Sequence, residues 1–182
     1  MEKIIFLDYD GVFNSIYTLK SNNDNRLFWG KISKNNYEYK LKSLLSYFDF
    51  EKLQLLKKIV TYTNAKIITI SAWQVADYYP LIEEYFTSIG LPMLSVSPTL
   101  SRPELIEDYL RTHNVKSFII LDDEKSFYIG NYEYLQNFLF KTDTFDDGLT
   151  EDIANEAIDF LLNNRAISFK ELVTQQSRAR VK

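Results

Sequence analysis

The 182-residue chain reads as one α/β domain, a doubly wound parallel β-sheet of the Rossmann type, spanning 1–182. Three observations predict this class. Apolar runs of strand length recur along the chain, they read as continuous hydrophobic stretches without polar alternation, and helical spacing fills most of the intervals between them. A strand covered on both faces has no polar side to show, and parallel neighbours need crossover helices, which supply the cover. The runs are KIIFLD at 3–8, KIITIS at 66–71, MLSVS at 93–97, SFIILD at 117–122 and NFLFK at 137–141.

The first run delivers Asp8-Tyr9-Asp10-Gly11-Val12 at its end. Such a stretch can be no more than the corner where a strand stops, because Asp and Gly are turn residues. That reading explains Gly11 and one aspartate. It leaves unexplained the order of apolar strand, Asp, one spacer, Asp and Gly. Residues two apart in a strand point the same way, so Asp8 and Asp10 begin on one side, and Gly11 lets the backbone turn away beyond them. Carboxylates facing one point repel unless a cation sits between them, and Mg2+ suits one or two carboxylates together with waters and phosphate oxygens.

Segment 14–48 follows, polar with scattered aromatics (Phe28, Trp29, Tyr37, Tyr39, Tyr47, Phe48). An irregular connection of this length is usually functional or mobile, and its place after the first strand makes it a flap or minimal cap over the strand ends. Phe50, Leu53, Leu55, Leu56 and Ile59 have helical spacing, and the second strand then ends in Ser71. Ser101-Arg102-Pro103-Glu104 has the S-x-x-E form of a capping box with Pro in the first turn. A helix therefore starts there with Arg102 at its N-terminus and continues through Leu105, Ile106, Tyr109 and Leu110. The fourth strand ends in Asp122-Asp123, and Thr150-Glu151-Asp152 opens a last helix to about Asn163. The basic tail at 176–182 reads as a solvated terminus.

Composition narrows the function classes. Hydrophobic residues make up 46% of the chain and aromatics 15%, enough for a packed core. A formal charge of −4 argues against a general nucleic-acid or anionic-membrane surface, while leaving room for a local basic groove among Lys20, Arg26, Lys31, Lys34, Lys40 and Lys42. With no cysteine there is neither a disulfide nor a thiolate site. No basic-then-apolar leader opens the chain and no apolar run approaches the ~20 residues of a membrane span, so the expectation is a cytoplasmic protein without a membrane partner.

Ligands of open parallel sheets gather at the carboxyl ends of the strands. There the first, second and fourth strands bring Asp8 and Asp10, Ser71, and Asp122 and Asp123, and the helix before the fourth strand brings Arg102. Each alone has an ordinary explanation: a turn, a cap, a solvated strand end, an exposed helix arginine. Together they supply carboxylates, a hydroxyl donor and a fixed cation, the set that metal, phosphate and nucleophile require. The strand from residue 3 is expected to be central, flanked by those ending at Ser71 and Asp122, with the Asp8, Asp10 and Asp122 carboxyls converging on one point.

These residues carry a family resemblance. FLDYDGV resembles the first motif, D-x-D-G-[TV], of the haloacid dehalogenase-like (HAD) phosphohydrolases; KIITISAW resembles their second motif and ILDDE their fourth. AKIITISAWQ, SRPELIEDYLRTHNVKSFIILDDE and FLFKTDTFDDGLTEDIANEAIDFL resemble the compact HAD domains related to those in RNA-repair proteins. The likeness covers 3–15 and 49–162. It implies a Mg2+-dependent phosphatase in which Asp8 attacks phosphorus and Asp10 serves as general acid and base. It further implies that Ser71 and Arg102 bind the phosphoryl oxygens, and that the metal is held by Asp8, the Asp10 backbone carbonyl and Asp122, with Asp123 in support. Ala72 and Gln74 depart from the hydroxyl and Arg of that subgroup, and Arg102 stands where most HAD enzymes have Lys. The implied substrate is a small phosphorylated molecule. The alternatives are a polynucleotide 3′- or 5′-phosphatase of nucleic-acid repair and a non-catalytic HAD-like binding domain. Neither the leaving group nor the oligomeric state follows from these residues.

Overall fold

The computed structural model describes residues 2–14, 47–96 and 100–163. The tail at 176–182 and nearly all of 14–48, with the flap assigned to it, lie outside the described residues. Four parallel strands form one sheet in the order β2-β1-β3-β4: β1 is Glu2–Leu7, β2 Lys66–Thr69, β3 Val115–Asp122 and β4 Leu139–Lys141. The strand that begins the chain is central, between β2 and β3, as its apolar run predicts. Among the described residues four α-helices accompany the sheet: α1 (Phe50–Thr63), α2 (Tyr79–Ser88), α3 (Arg102–Thr112) and α4 (Glu151–Asn163).

Side chains alternate across the sheet, and the two faces are sealed separately. Ile5, Leu7, Ile67, Ile119 and Leu121 pack with buried residues of α1, α2 and α4. Ile4, Phe6, Ile68, Phe118 and Ile120 pack with Leu105, Ile106, Tyr109 and Leu110 of α3 and with the 3₁₀ segment Gly130–Phe138. Both faces of β1 and β3 are therefore dry, which is why their sequences lack alternation.

Three expectations are corrected. The run 93–97 is not a fifth strand among the described residues; it contributes one isolated parallel bridge, Ile67 to Met93, because Pro92 and the polar residues beside it leave too little to pair. The strand expected over 137–141 is reduced to Leu139–Lys141, its start being the end of the 3₁₀ segment. β2 ends at Thr69, although the Ile70 N–H still donates to the Leu7 carbonyl at 2.8 Å. Helix α2, with Pro80 in its first turn, was not expected.

The helix starts hold as read. At α3 the Ser101 N–H and hydroxyl donate to Glu104 at 3.0 and 2.6 Å, and at α4 the Ile153 N–H reaches the Thr150 hydroxyl at 3.3 Å. Fixing the start of α3 fixes Arg102.

Ile5 is fully buried at the centre of the sheet. Ile5→Ala is expected to cost about 3 kcal/mol, read as a lower urea midpoint with unchanged slope.

Candidate active site

The site begins with strand register. Leu7 of β1 pairs with Leu121 of β3, and the Asp8 N–H donates to the Leu121 carbonyl at 2.9 Å, so Asp8 and Asp122 come side by side at the carboxyl end of the sheet. Both continue the series that faces α3, after Phe6 and Ile120. The first residue of α3 is Arg102, and its Nη1 lies 2.9 and 2.8 Å from the two Asp122 oxygens and 2.7 Å from Asp8 Oδ2. The guanidinium carbon sits 4.5 Å from the centre of the Phe127 ring.

Asp122 is fully buried and fully engaged. Besides Arg102 it accepts the Glu124 N–H at 2.9 Å and the Tyr128 hydroxyl at 2.6 Å. Burial, and then the neighbouring Asp122 charge, raise the Tyr128 phenol well above its usual range, so its proton stays available for donation.

Asp8 is 1% exposed and is satisfied on one oxygen only. Oδ1 accepts the Tyr9 N–H at 2.8 Å. Oδ2 is buried without a hydrogen bond: Arg102 is beside it, but the Nη1 hydrogens go to Asp122. Burial raises the Asp8 pKa from 3.8 to about 7; the Asp122 charge adds to the rise, while Arg102, the Ser71 side chain and the Tyr9 N–H oppose it.

Asp123 completes the cluster from the other side of the strand end. One oxygen each from Asp8, Asp122 and Asp123 lie within 4.8 Å of one another. Asp123 accepts the Thr144 hydroxyl and crowds Gly11, where a Cβ would come 2.3 Å from its Cγ. Gly11 also has φ +71°, a backbone state that side chains disfavour. Its glycine is thus set by a close approach as well as by a turn. Burial raises the Asp123 pKa, with the Asp122 charge contributing.

The donor set fits a hard divalent cation. The ligands are all oxygen, carboxylates outnumber the one guanidinium, and a buried carboxylate oxygen is left without a donor. Asp8, Asp122 and Asp123 are the residues that can hold such an ion.

Asp10 goes elsewhere. Its carboxylate does not join the other three; Oδ2 accepts the Trp73 indole N–H at 3.0 Å and Oδ1 the Asn14 side-chain amide at 2.8 Å, at an exposed position. Ser71 is buried, caps the 3₁₀ turn Ala72–Val75 by accepting the Trp73 N–H at 3.4 Å, and its side chain works to lower the Asp8 pKa. The structure therefore brings together Asp8, Ser71, Arg102, Asp122 and Asp123, with Asp10 close by in chain but turned to Trp73. Sequence reading passed over Tyr128, Thr144, Trp73 and Asn14. Trp73, two residues past the strand-ending Ser71, was the one with a signal, since an aromatic donor at a strand end is unusual for a plain turn.

A protein-family comparison matches residues 4–154 to the HAD domain in Swiss Army Knife RNA repair proteins. The chain belongs to this HAD family. The match runs from β1 into α4 and includes all six predicted site residues. HAD domains are generally phosphohydrolases and typically use Mg2+, which agrees with the three-aspartate cluster of this HAD domain. No curated protein and no solved structure matched the chain. None of the described helices is long and apolar enough to cross a membrane.

Because the folded-state pKa of Asp8 lies above its unfolded value, the carboxyl favours folding while protonated, and that contribution is lost as pH rises from about 4 through about 7. Without divalent ions, Asp8→Asn is expected to be more stable than the wild type at pH 8, by on the order of 4 kcal/mol, and little different at pH 4. Melting curves at the two pH values check this. Added Mg2+ should raise the wild-type melting temperature more than that of Asp8→Asn.

Gly11→Ala is expected to push Asp123 aside and weaken Mg2+ binding at least tenfold by calorimetry, with the sheet intact by circular dichroism.

Proposed function

We propose that the protein is a Mg2+-dependent phosphatase that hydrolyses a phosphomonoester through an aspartyl phosphate on Asp8. The single observation that carries this reading is the buried Asp8 carboxylate with one oxygen free of hydrogen bonds, set among Asp122, Asp123, Arg102 and Ser71. A carboxylate nucleophile needs a fixed oxygen that gives none of its lone pairs to a hydrogen bond, and this carboxylate is held from behind by the Tyr9 N–H, with Arg102 2.7 Å away as its ion-pair partner.

In the first half-reaction an Asp8 oxygen forms a bond to phosphorus as the bond to the leaving oxygen breaks. Asp10, exposed at the mouth, gives its proton to that oxygen. Ser71 and Arg102 donate to the phosphoryl oxygens as charge spreads over them. In the second half-reaction Asp10 takes a proton from water, the water oxygen bonds to phosphorus, and the Asp8–phosphorus bond breaks to release phosphate. Bound Mg2+ supplies charge neutralisation, allowing an anionic phosphate to approach anionic carboxylates. Tyr128 and the Glu124 N–H hold Asp122 in place for it.

The second reading is a phosphatase acting on a polynucleotide end, favoured by the RNA-repair proteins in which the matched family occurs. Phosphate release from an aryl phosphate, compared with release from 3′- and 5′-phosphorylated oligonucleotides, tells the two apart. Oligonucleotide turnover with kcat/KM far above that for the aryl ester selects the second reading.

Asp8→Asn is expected to abolish turnover on any ester. Asp10→Asn should slow an alkyl phosphate on the order of 10²-fold or more and an aryl phosphate less, because a good leaving group needs little protonation. Equal activity of Asp10→Asn and wild type on both esters would remove Asp10 from the mechanism.

A further inference from the structure

The 3₁₀ turn after β2 addresses both aspartates of the first motif. Ser71, its capping residue, acts on the Asp8 carboxyl, lowering its pKa, and Trp73, two residues on, donates its indole N–H to Asp10 Oδ2 at 3.0 Å. The bond that joins this turn to the loop of the two aspartates is the one from Trp73 to Asp10. The opposite Asp10 oxygen is held by Asn14, whose buried side-chain amide donates at 2.8 Å. Both carboxylate oxygens therefore have a fixed neutral donor.

We infer that Trp73 is a positioning residue for the general acid and base, holding the Asp10 carboxylate in one fixed orientation beside the Asp8 cluster. This rests on the role given to Asp10 above. An exposed aspartate on a turn has free rotation about its side-chain bonds, and a carboxylate that must serve the leaving oxygen first and water second gains from being aimed. The indole is suited to the task because it is a donor only, and it cannot swap roles and rotate Asp10 away.

Trp73 is itself immobilised by aromatic neighbours. Its ring lies 5.3 Å from Phe48, 6.0 Å from Tyr9, 6.0 Å from Tyr47 and 5.9 Å from Tyr78, centre to centre. Tyr9 sits between Asp8 and Asp10 in sequence and is fully buried, with its hydroxyl 2.9 Å from that of Thr69. The spacer residue of the motif thus anchors the indole that holds the second aspartate. Hydrophobic packing explains the ring; only the bond to Asp10 uses its nitrogen.

Trp73→Phe keeps the ring and removes the N–H, and it separates the two roles. The expected result is a kcat on an alkyl phosphate lower by on the order of tenfold to a hundredfold, a smaller loss on an aryl phosphate, and an unchanged KM. In an Asp10→Asn background, Trp73→Phe should cost nothing further, since it acts through Asp10. Nuclear magnetic resonance gives a check independent of turnover. The chain has two tryptophans, so Trp73→Phe identifies the Trp73 indole N–H signal, which should shift when Asp10 is changed to Asn. The inference is overturned if Trp73→Phe matches wild type on the alkyl ester, if its penalty is the same in the Asp10→Asn background, or if the indole signal ignores Asp10→Asn. A deficient Asp10→Asn enzyme with any of these results leaves the phosphatase reading standing; a fully active Asp10→Asn enzyme takes down both.

Discussion

Holding Asp8 and Asp122 side by side, out of water, is the interaction on which the rest of the site depends. Like charges in this position repel, and burial penalises each of them. Strand register imposes the arrangement: once Leu7 is paired with Leu121, the next residue of each strand has nowhere else to go. Arg102 supplies one compensating charge, and Asp122 adds Tyr128 and the Glu124 N–H. Asp8 is left only partly compensated, which is a cost to folding. A divalent cation among these carboxylates would relieve that cost.

The surrounding elements can be understood as consequences. α3 must begin at Arg102, and the Ser101–Glu104 capping box sets that start. Residue 11 must be glycine, because Asp123 occupies the volume of its side chain. The turn after β2 must be tight enough to place Ser71 and Trp73 on one loop. Rigid strands bring the carboxylates together, while short turns trim their directions.

Much of this was readable in the sequence, for reasons that differ by residue. Strands β1 and β3 were plain because both faces are buried, and a run such as FIIL has no other common explanation. Asp8 and Asp122 followed from those strands, and Ser71 from the run 66–71, since position at or just past a strand end is a property of sequence. Arg102 followed from a local capping signal. The run 93–97 misled because short apolar stretches next to proline can be edge packing as easily as strand, and α2 was missed because its start is marked only by Pro80. Among the site residues, Asp10 was the hardest. The period-two argument places Asp8 and Asp10 together only while the strand lasts, and β1 ends at Leu7, so the loop was free to turn Asp10 toward Trp73. Asp123, expected in a supporting role, enters the cluster because Gly11 makes room for it. Tyr128 and Thr144 left no signal, because their roles depend on where irregular segments return to the sheet.

The most direct test of Asp8 as nucleophile is to trap the covalent intermediate. The protein is mixed with a 32P-labelled aryl phosphate and Mg2+, quenched in acid within one turnover, digested and mapped. The expected result is label bound to the peptide containing Asp8, released by hydroxylamine as an acyl phosphate must be, and absent in Asp8→Asn. Turnover with no label on the chain, or label on a peptide without Asp8, would contradict it.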